Sequence, residues 1–289
     1  MKFLLCTDGS PHTAQGLDMG VRIAQRAASA IEILVVDERG PRARLMAEEA
    51  AAALEETGIP TIVRRRDGRM AEELVRQARA TPYDLVVAGS RGRKGAVRLL
   101  LGSLALHVSE HTPASVLIVK GRARDIERVL ICSSAGPTSE HTISFAGRLA
   151  HELDASVTLL HVMSQLPLTR HAVMDDLGAS AEELIRRGSR EGIHLSRMLA
   201  LLAGMGVTAR AVVRHGMVQN QVIAESRKGR YDLLVVGTHI TPGLNDRLID
   251  DLSRDILLAA NRPVLVVRYS QPESTPRTDE SQVKPGPQF

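Results

Sequence analysis

The feature that most restricts what this chain can fold into is that it repeats itself. VLICSS (Val129 to Ser134) restates LLCTD near the N-terminus, with Cys132 standing 126 positions after Cys6. VTLLHV (157–162) falls on IEILVV (31–36) at the same offset. Farther on, Gly216 matches Gly68, DLLVVG (232–237) matches DLVVAG (84–89) and VLVV (264–267) matches VLIV (116–119), all at an offset of 148. The two offsets differ by 22, which measures an insertion in the second copy, within about residues 164–195. A period this long is a domain rather than a solenoid repeat. Closed assemblies are usually two-fold, so the copies are expected to pack on each other about a pseudo-two-fold axis.

Within each copy, short apolar runs alternate with longer amphipathic ones. In the first copy FLLCT (3–7), IEILVV, TIVRR (61–65), 84–88 and SVLIVK (115–120) read as strands. Between them, 12–29 carries Ala14, Leu17, Val21, Ala24 and Ala28 at helical spacing. The stretch 43–57 is rich in Ala and Glu and is stopped by Gly58 and Pro60, and 70–80 and 104–111 complete the helices. Strands alternating with helices imply right-handed crossovers and a parallel α/β sheet covered on both faces. In the insertion, the charged and periodic part, 179–202, predicts one lengthened helix. The expected domains are 1–121 and 126–268, with 269–289, rich in Pro, Ser, Gln and charge, as a disordered tail.

Composition supports this and removes some functions. The 289 residues are 44% hydrophobic but only 2% aromatic, with no Trp. The cores must therefore be Val, Leu, Ile and Ala, which suits strands buried on both faces. The same scarcity argues against stacking platforms for single-stranded nucleic acid. The net charge is +4, from 37 basic and 33 acidic residues that are interspersed. Nucleic acid is not an expected partner, and the run Arg64-Arg65-Arg66 is short. The two cysteines form neither a disulfide framework nor a metal spacing. No h-region and no apolar run of transmembrane length is present, so no membrane association and a cytoplasmic location are expected.

The chemistry concentrates in GSRGRKGAVRLLLGS (89–103), between an apolar strand and a helix start. Glycines let a backbone approach a ligand closely, and free N–H groups at a helix N-terminus suit a phosphate. Ser103 adds a hydroxyl there, as an N-cap or as a phosphate or metal ligand. Arg91, Arg93 and Lys94 add charge; a glycine-rich surface turn with solvated cations is the plainer account. An open parallel sheet binds ligands beyond the carboxyl ends of its strands. Those ends are Thr7-Asp8, Val36-Asp37 and Ala88-Gly89. Asp8 can accept from a ribose or an adenine amine, or it can cap the next helix, where Pro11 stands near the start.

The spacing G-x2-G-x9-G-[ST] (Gly89, Gly92, Gly102, Ser103), before a segment ending in VLIVK, resembles the ATP-binding signature of the universal stress protein family. LLCTDGS (4–10) resembles that family's opening strand and loop. The resemblance covers about residues 1–268; neither a Walker A loop nor a Rossmann GxGxxG occurs. It implies two tandem Rossmann-like α/β domains of the HUP type forming a pseudo-dimer, with ATP as ligand and Mg²⁺ bridging its phosphates. By resemblance Asp8 contacts the nucleoside and Val36 holds the adenine edge through its backbone. Gly89, Arg91, Gly92, Gly102 and Ser103 surround the phosphates, flanked by Thr7, Ala88 and Leu104; Arg91 stands where the family's residue varies. A stress-response regulator, homodimeric and acting on an unidentified protein partner, is the implied role.

The second copy departs from this pattern. Asp8 becomes Ser134, Gly92 becomes Ile240, and Gly102-Ser103 become Asp250-Asp251, although Gly89 survives as Gly237. Carboxylates where phosphates would sit are repulsive, and a β-branched Ile does not readily take positive φ. One lobe is therefore expected to bind and the other to be structural or regulatory. His107 and His111, spaced i, i+4, lack a third zinc ligand. No general base is evident to aim a water at a γ-phosphate, so no catalytic residue is assigned and slow ATP hydrolysis would be incidental. An adenylate-forming enzyme and a nucleotide-independent scaffold are the alternatives.

Overall fold

The computed structural model describes residues 1–36, 41–90, 103–134, 137–163, 178–239 and 249–269. The first repeat supplies β1 (Lys2–Thr7), α1 (Pro11–Ala27), β2 (Ala30–Val36), α2 (Arg42–Glu55), β3 (Thr61–Arg66), α3 (Met70–Ala80), β4 (Leu85–Ser90), α4 (Ser103–His111) and β5 (Ser115–Lys120). The second supplies β6 (Arg128–Ser133), α5 (Pro137–Glu152), β7 (Ser156–Met163), α6 (Ala181–Arg187), α7 (Arg190–Gly204), β8 (Ala209–His215), α8 (Val218–Lys228), β9 (Leu233–His239), α9 (Asp251–Ala259) and β10 (Val264–Tyr269).

All the strands join one sheet, in the order β3-β2-β1-β4-β5-β10-β9-β6-β7-β8. Read inward from either edge, the strand sequence is the same. Every pairing within a lobe is parallel, whereas β5 and β10 pair antiparallel at the centre, through Val116↔Val266, Leu117↔Leu265 and Ile118↔Val264. Leu117 and Leu265 are themselves 148 positions apart, so the seam reads alike from both sides.

Both faces of the sheet are buried, which is why its strands read as continuous apolar runs rather than alternating ones. Phe3, Leu5, Ile33 and Leu117 enter one core cluster, with residues of α1, α2, α5 and α7. Leu4, Cys6, Val86 and Ile118 enter the other, with residues of α3, α4, α8 and α9.

Two expectations are corrected. The lengthened helix expected over 179–202 is two helices, α6 and α7. Gly188 takes a left-handed conformation (φ 65°) as the C-cap of α6, and Ser189 caps α7 by accepting from Gly192 N. A Cβ on Gly192 would lie 2.0 Å from Leu184 O, so the two helices close tightly on each other. Tyr269, assigned to the tail, instead ends β10 and pairs with His239. The rest of the expected tail, 270–289, lies outside the described residues.

Buried cations also tie the lobes together. Lys120 Nζ donates to Leu257 O and to Ala260 O (2.9 Å), at the C-terminal end of α9. Arg268, 148 positions after Lys120, donates from Nη2 to Ser109 O near the C-terminal end of α4. Each lobe's last strand thus sends a cation to the negative end of the other lobe's last helix, the end that favours it. Arg254 Nε and Glu110 Oε1, 3.2 Å apart, add an ion pair across the same seam.

Candidate functional site

The strand order reverses direction between β1 and β4, and there the carboxyl ends of β1, β2 and β4 meet. Thr7, Asp8, Val36 and Ala88 all lie buried at this edge. Asp8 Oδ1 accepts from Ser10 N (2.9 Å) and from Thr13 Oγ1 (2.7 Å). Thr7 Oγ1 accepts from Gly9 N (3.2 Å) and lies 3.4 Å from Thr13 Oγ1. The alternative in which Asp8 caps the following helix is not the arrangement found. Ser10 is the N-cap of α1, accepting from Thr13 N, with Pro11 in the first turn. Asp8 instead closes an Asx turn onto Ser10. Gly9, at φ +77°, brings that turn against α2, where a Cβ would stand 2.9 Å from Ala43 N.

Gly89 has a packing reason of its own. A Cβ on it would lie 1.9 Å from His12 O, and a Cβ on Gly16 would lie 2.4 Å from Gly89 N. Helix α1 therefore rests directly on the backbone of β4. In the second lobe Gly237 also faces the covering helix, where an added Cβ would lie 2.2 Å from the Thr142 side-chain Oγ1. This close approach accounts for the one glycine of the motif that both copies keep.

Ser90 ends β4 and pairs with Lys120; its buried Oγ has no hydrogen-bond partner among the described residues. Ser103 and Leu104 open α4. Arg91, Gly92 and Gly102 lie outside the described residues. Among the described residues, no group of three or more His, Cys, Asp or Glu is arranged to hold a metal ion. His107 and His111 stack at 4.3 Å, and His111 Nδ1 donates to His107 O (2.9 Å). Burial first, and the nearby Asp8 charge second, push the Cys6 thiol up to about 12, which disfavours its reactive thiolate. Burial does the same to Cys132, to about 12.

The second lobe builds the corresponding edge differently. Asp250 caps α9, accepting from Ser253 N at 2.7 Å, while its own N–H donates to Thr238 Oγ1 (3.1 Å). Ser253 Oγ donates to Gly237 O (3.0 Å). The carboxylate thus uses the helix N-terminal position that a phosphate would occupy. Ser133 and Ser139, counterparts of Thr7 and Thr13, keep their hydroxyl contact at 3.0 Å. His194 of α7 adds a partner that the first lobe does not have, with Nε2 2.8 Å from Ser133 Oγ. His161 Nδ1 donates to Ser133 O (3.2 Å), and the His161 and His194 rings lie 6.2 Å apart.

The sequence profile of the universal stress protein family matches residues 1–120 and again 125–268. The chain belongs to the universal stress protein family. Universal stress protein MJ0531 of Methanocaldococcus jannaschii is 28% identical over 138 residues, spanning 41% of this chain and 81% of that protein. Universal stress protein YxiE of Bacillus subtilis is 26% identical over 145 residues, spanning 41% of this chain and 98% of that protein. A universal stress protein of known structure from Archaeoglobus fulgidus superimposes over 92% of this chain and 98% of its own, with a TM-score of 0.65 at 16% identity. Family membership thus covers both lobes, and the tandem arrangement carries through to the fold.

Of the residues expected from the family motif, the fold brings Thr7, Asp8, Val36, Ala88 and Gly89 to one edge and starts α4 at Ser103-Leu104. Sequence reasoning missed Ser10 and Thr13, which hold Asp8, and it missed Ser90. The Ser-Pro step at 10–11 carried the capping signal. Ser90 could have been found from its counterpart Thr238, 148 positions on. The cluster of Ser133, His161 and His194 joins residues 28 and 61 positions apart, a pairing that no local pattern announces.

Proposed function

We propose that this universal stress protein is an ATP-binding regulator that takes nucleotide in its first lobe only and uses it to bias conformation or partner binding. The difference between the two helix N-termini carries the reading. In the second lobe the Asp250 carboxylate holds the first turn of α9, whereas the first lobe has Gly102-Ser103 at that place in the sequence. The buried Ser90 Oγ at the end of β4, without a hydrogen-bond partner among the described residues, fits a polar ligand there. On this reading Asp8 and the Val36 backbone face the nucleoside, and Gly89, Arg91, Gly92, Gly102 and Ser103 face the phosphates. Mg²⁺ would come bound to the phosphates, with few protein ligands, as is usual for this ion. A nucleotide shifts a conformational equilibrium only by its differential affinity for the two states, so ATP must favour one of them.

The two lobes pack as a pseudo-dimer about the β5–β10 seam, and a homodimer of whole chains would have to use other surfaces. The outer strands β3 and β8 are the open edges of the sheet, and Ile62 and Val63 of β3 are exposed. The function is tested by titration calorimetry with ATP and Mg²⁺ on the whole chain and on Gly102→Asp, which copies the second lobe's residue into the first. One site per chain, lost in the variant, is the expected result. No loss of a site in the variant, or no binding at micromolar ATP, would overturn it.

A further inference from the structure

A cavity of about 310 Å³ opens where the lobes are joined. It is far larger than the ~30 Å³ share of one water. The end of β5, the segment 121–124, the turn into β9 at Tyr231-Asp232 and the turn into β10 at 261–263 line it. Its charge is one-sided: Lys120, Arg122, Arg124 and Arg262 against the single carboxylate of Asp232. That carboxylate already serves the fold. Its Oδ2 accepts from Arg128 N (2.9 Å) and Glu127 N (3.2 Å), just as Asp84 Oδ2 accepts from Lys2 N (2.7 Å) in the first lobe.

Arg262 is not a requirement of the fold. Its counterpart 148 positions earlier is Ala114, which is buried. Tyr231 and Asp232, by contrast, have Tyr83 and Asp84 at the same offset. The Arg262 guanidinium is half-buried, donates from Nη1 to Tyr231 O, and has a buried Nε–H with no partner among the described residues. Burial above all holds its pKa below the ordinary range; Asp232 opposes this, and Arg128 and Arg227 add to it. A partly desolvated guanidinium beside other cations, with an unspent donor, is what an oxyanion relieves.

We propose that this junction cavity is a binding site for a small polyphosphate-type anion, held by Arg262 and Arg124. The site does not depend on nucleotide in the first lobe. The anion is either free or the phosphate end of a nucleotide, and the two sources are separable. Pyrophosphate is titrated calorimetrically, at low salt, into the whole chain, into Gly102→Asp, and into Gly102→Asp carrying Arg262→Ala or Arg124→Gln. Pyrophosphate binding is expected to persist in Gly102→Asp, where the first-lobe phosphate positions are blocked; in that background Arg262→Ala is expected to bind at least tenfold more weakly, and Arg124→Gln several-fold more weakly. Arg262→Ala copies the residue the other junction already carries. Should its melting temperature fall, the exposed Arg124 decides the matter without burdening the fold. ADP titrated into Gly102→Asp identifies the source. If it binds and Arg262→Ala in that background removes the binding, a nucleotide is the source; if only pyrophosphate binds, the source is the free anion. Absence of pyrophosphate binding, binding indifferent to both arginine variants, or loss in Gly102→Asp instead would overturn the proposal. That last result would place the anion in the glycine-rich stretch. Failure of ATP to bind the wild type would overturn the first-lobe reading and leave this one standing.

Discussion

At the scale of single residues, Gly89 is decided by the carbonyl that lies 1.9 Å from where a Cβ would stand. Gly89→Ala is expected to destabilise by about 3 kcal/mol, because its Cβ would meet the carbonyl of His12 at 1.9 Å and helix α1 must then move off β4. Thermal melts of the variant check this, and Gly121→Ala is a control with open space around the added Cβ. The control tests only left-handed strain, a smaller cost, since Gly121 sits at φ +78°. Buried Cys6, whose thiol burial pushes up to about 12, is expected to resist iodoacetamide at pH 8 in the folded chain and to react on unfolding. Mass spectrometry of the alkylated protein reads the outcome, and rapid native labelling of Cys6 would contradict the packing described. Part of this scale was legible in the sequence. Gly89 and Asp8 stood out, but the reason for Gly89 did not. A glycine demanded by a helix crossing and one demanded by a phosphate look alike until the crossing is seen.

At the scale of elements, the imidazoles of β7 and α7 set a pH limit on the second lobe. Burial lowers the pKa of His161, with Ser133 O and Glu191 opposing and His215 assisting. Burial also lowers that of His194, assisted by His161 and Arg197. A histidine with a depressed folded pKa binds fewer protons folded than unfolded. Its stabilising effect is full above the ordinary value of 6.5 and is lost as pH falls below it. Melting temperature is therefore expected to drop between pH 7 and pH 5 by more than in His161→Gln/His194→Gln, and parallel pH profiles would contradict the role given to these rings. The strands were legible here because each is a continuous aliphatic run bounded by turns. The break between α6 and α7 was not, since AEELIRRGSREGIHL keeps helical periodicity and charge across Gly188-Ser189. There the left-handed glycine and the serine cap override propensity.

At the scale of the whole molecule, the seam is the expectation most open to test. Val116, Leu117 and Ile118 are fully buried between the lobes' own neighbours and β10. A fragment ending after the first lobe, residues 1–121, would expose this edge. Because the register is symmetric about Leu117, it is expected to pair with a second copy of itself and to elute as a dimer in size-exclusion chromatography with light scattering; a monodisperse monomer would contradict this. Lys120→Met should lower the melting temperature of the intact chain, since it leaves the Leu257 and Ala260 carbonyls without their donor, at a cost of about 1–3 kcal/mol. The repeat, the lobe order and the insertion could be read from offsets along the chain. The cations crossing the seam could not, because Lys120 and Leu257 are 137 positions apart and nothing local marks either as a partner.

The antiparallel seam has a further consequence. It points the carboxyl ends of the first lobe's strands one way and those of the second lobe's the other, so the two crevices open on opposite margins of the sheet. In an assembly of two identical chains every substitution appears twice, and a site can be altered only by altering its twin. Joining the copies in one polypeptide removes that constraint. Asp250 opposite Gly102 and Arg262 opposite Ala114 are differences that a pair of identical chains could not carry, and each gives one margin of the molecule a chemistry the other lacks.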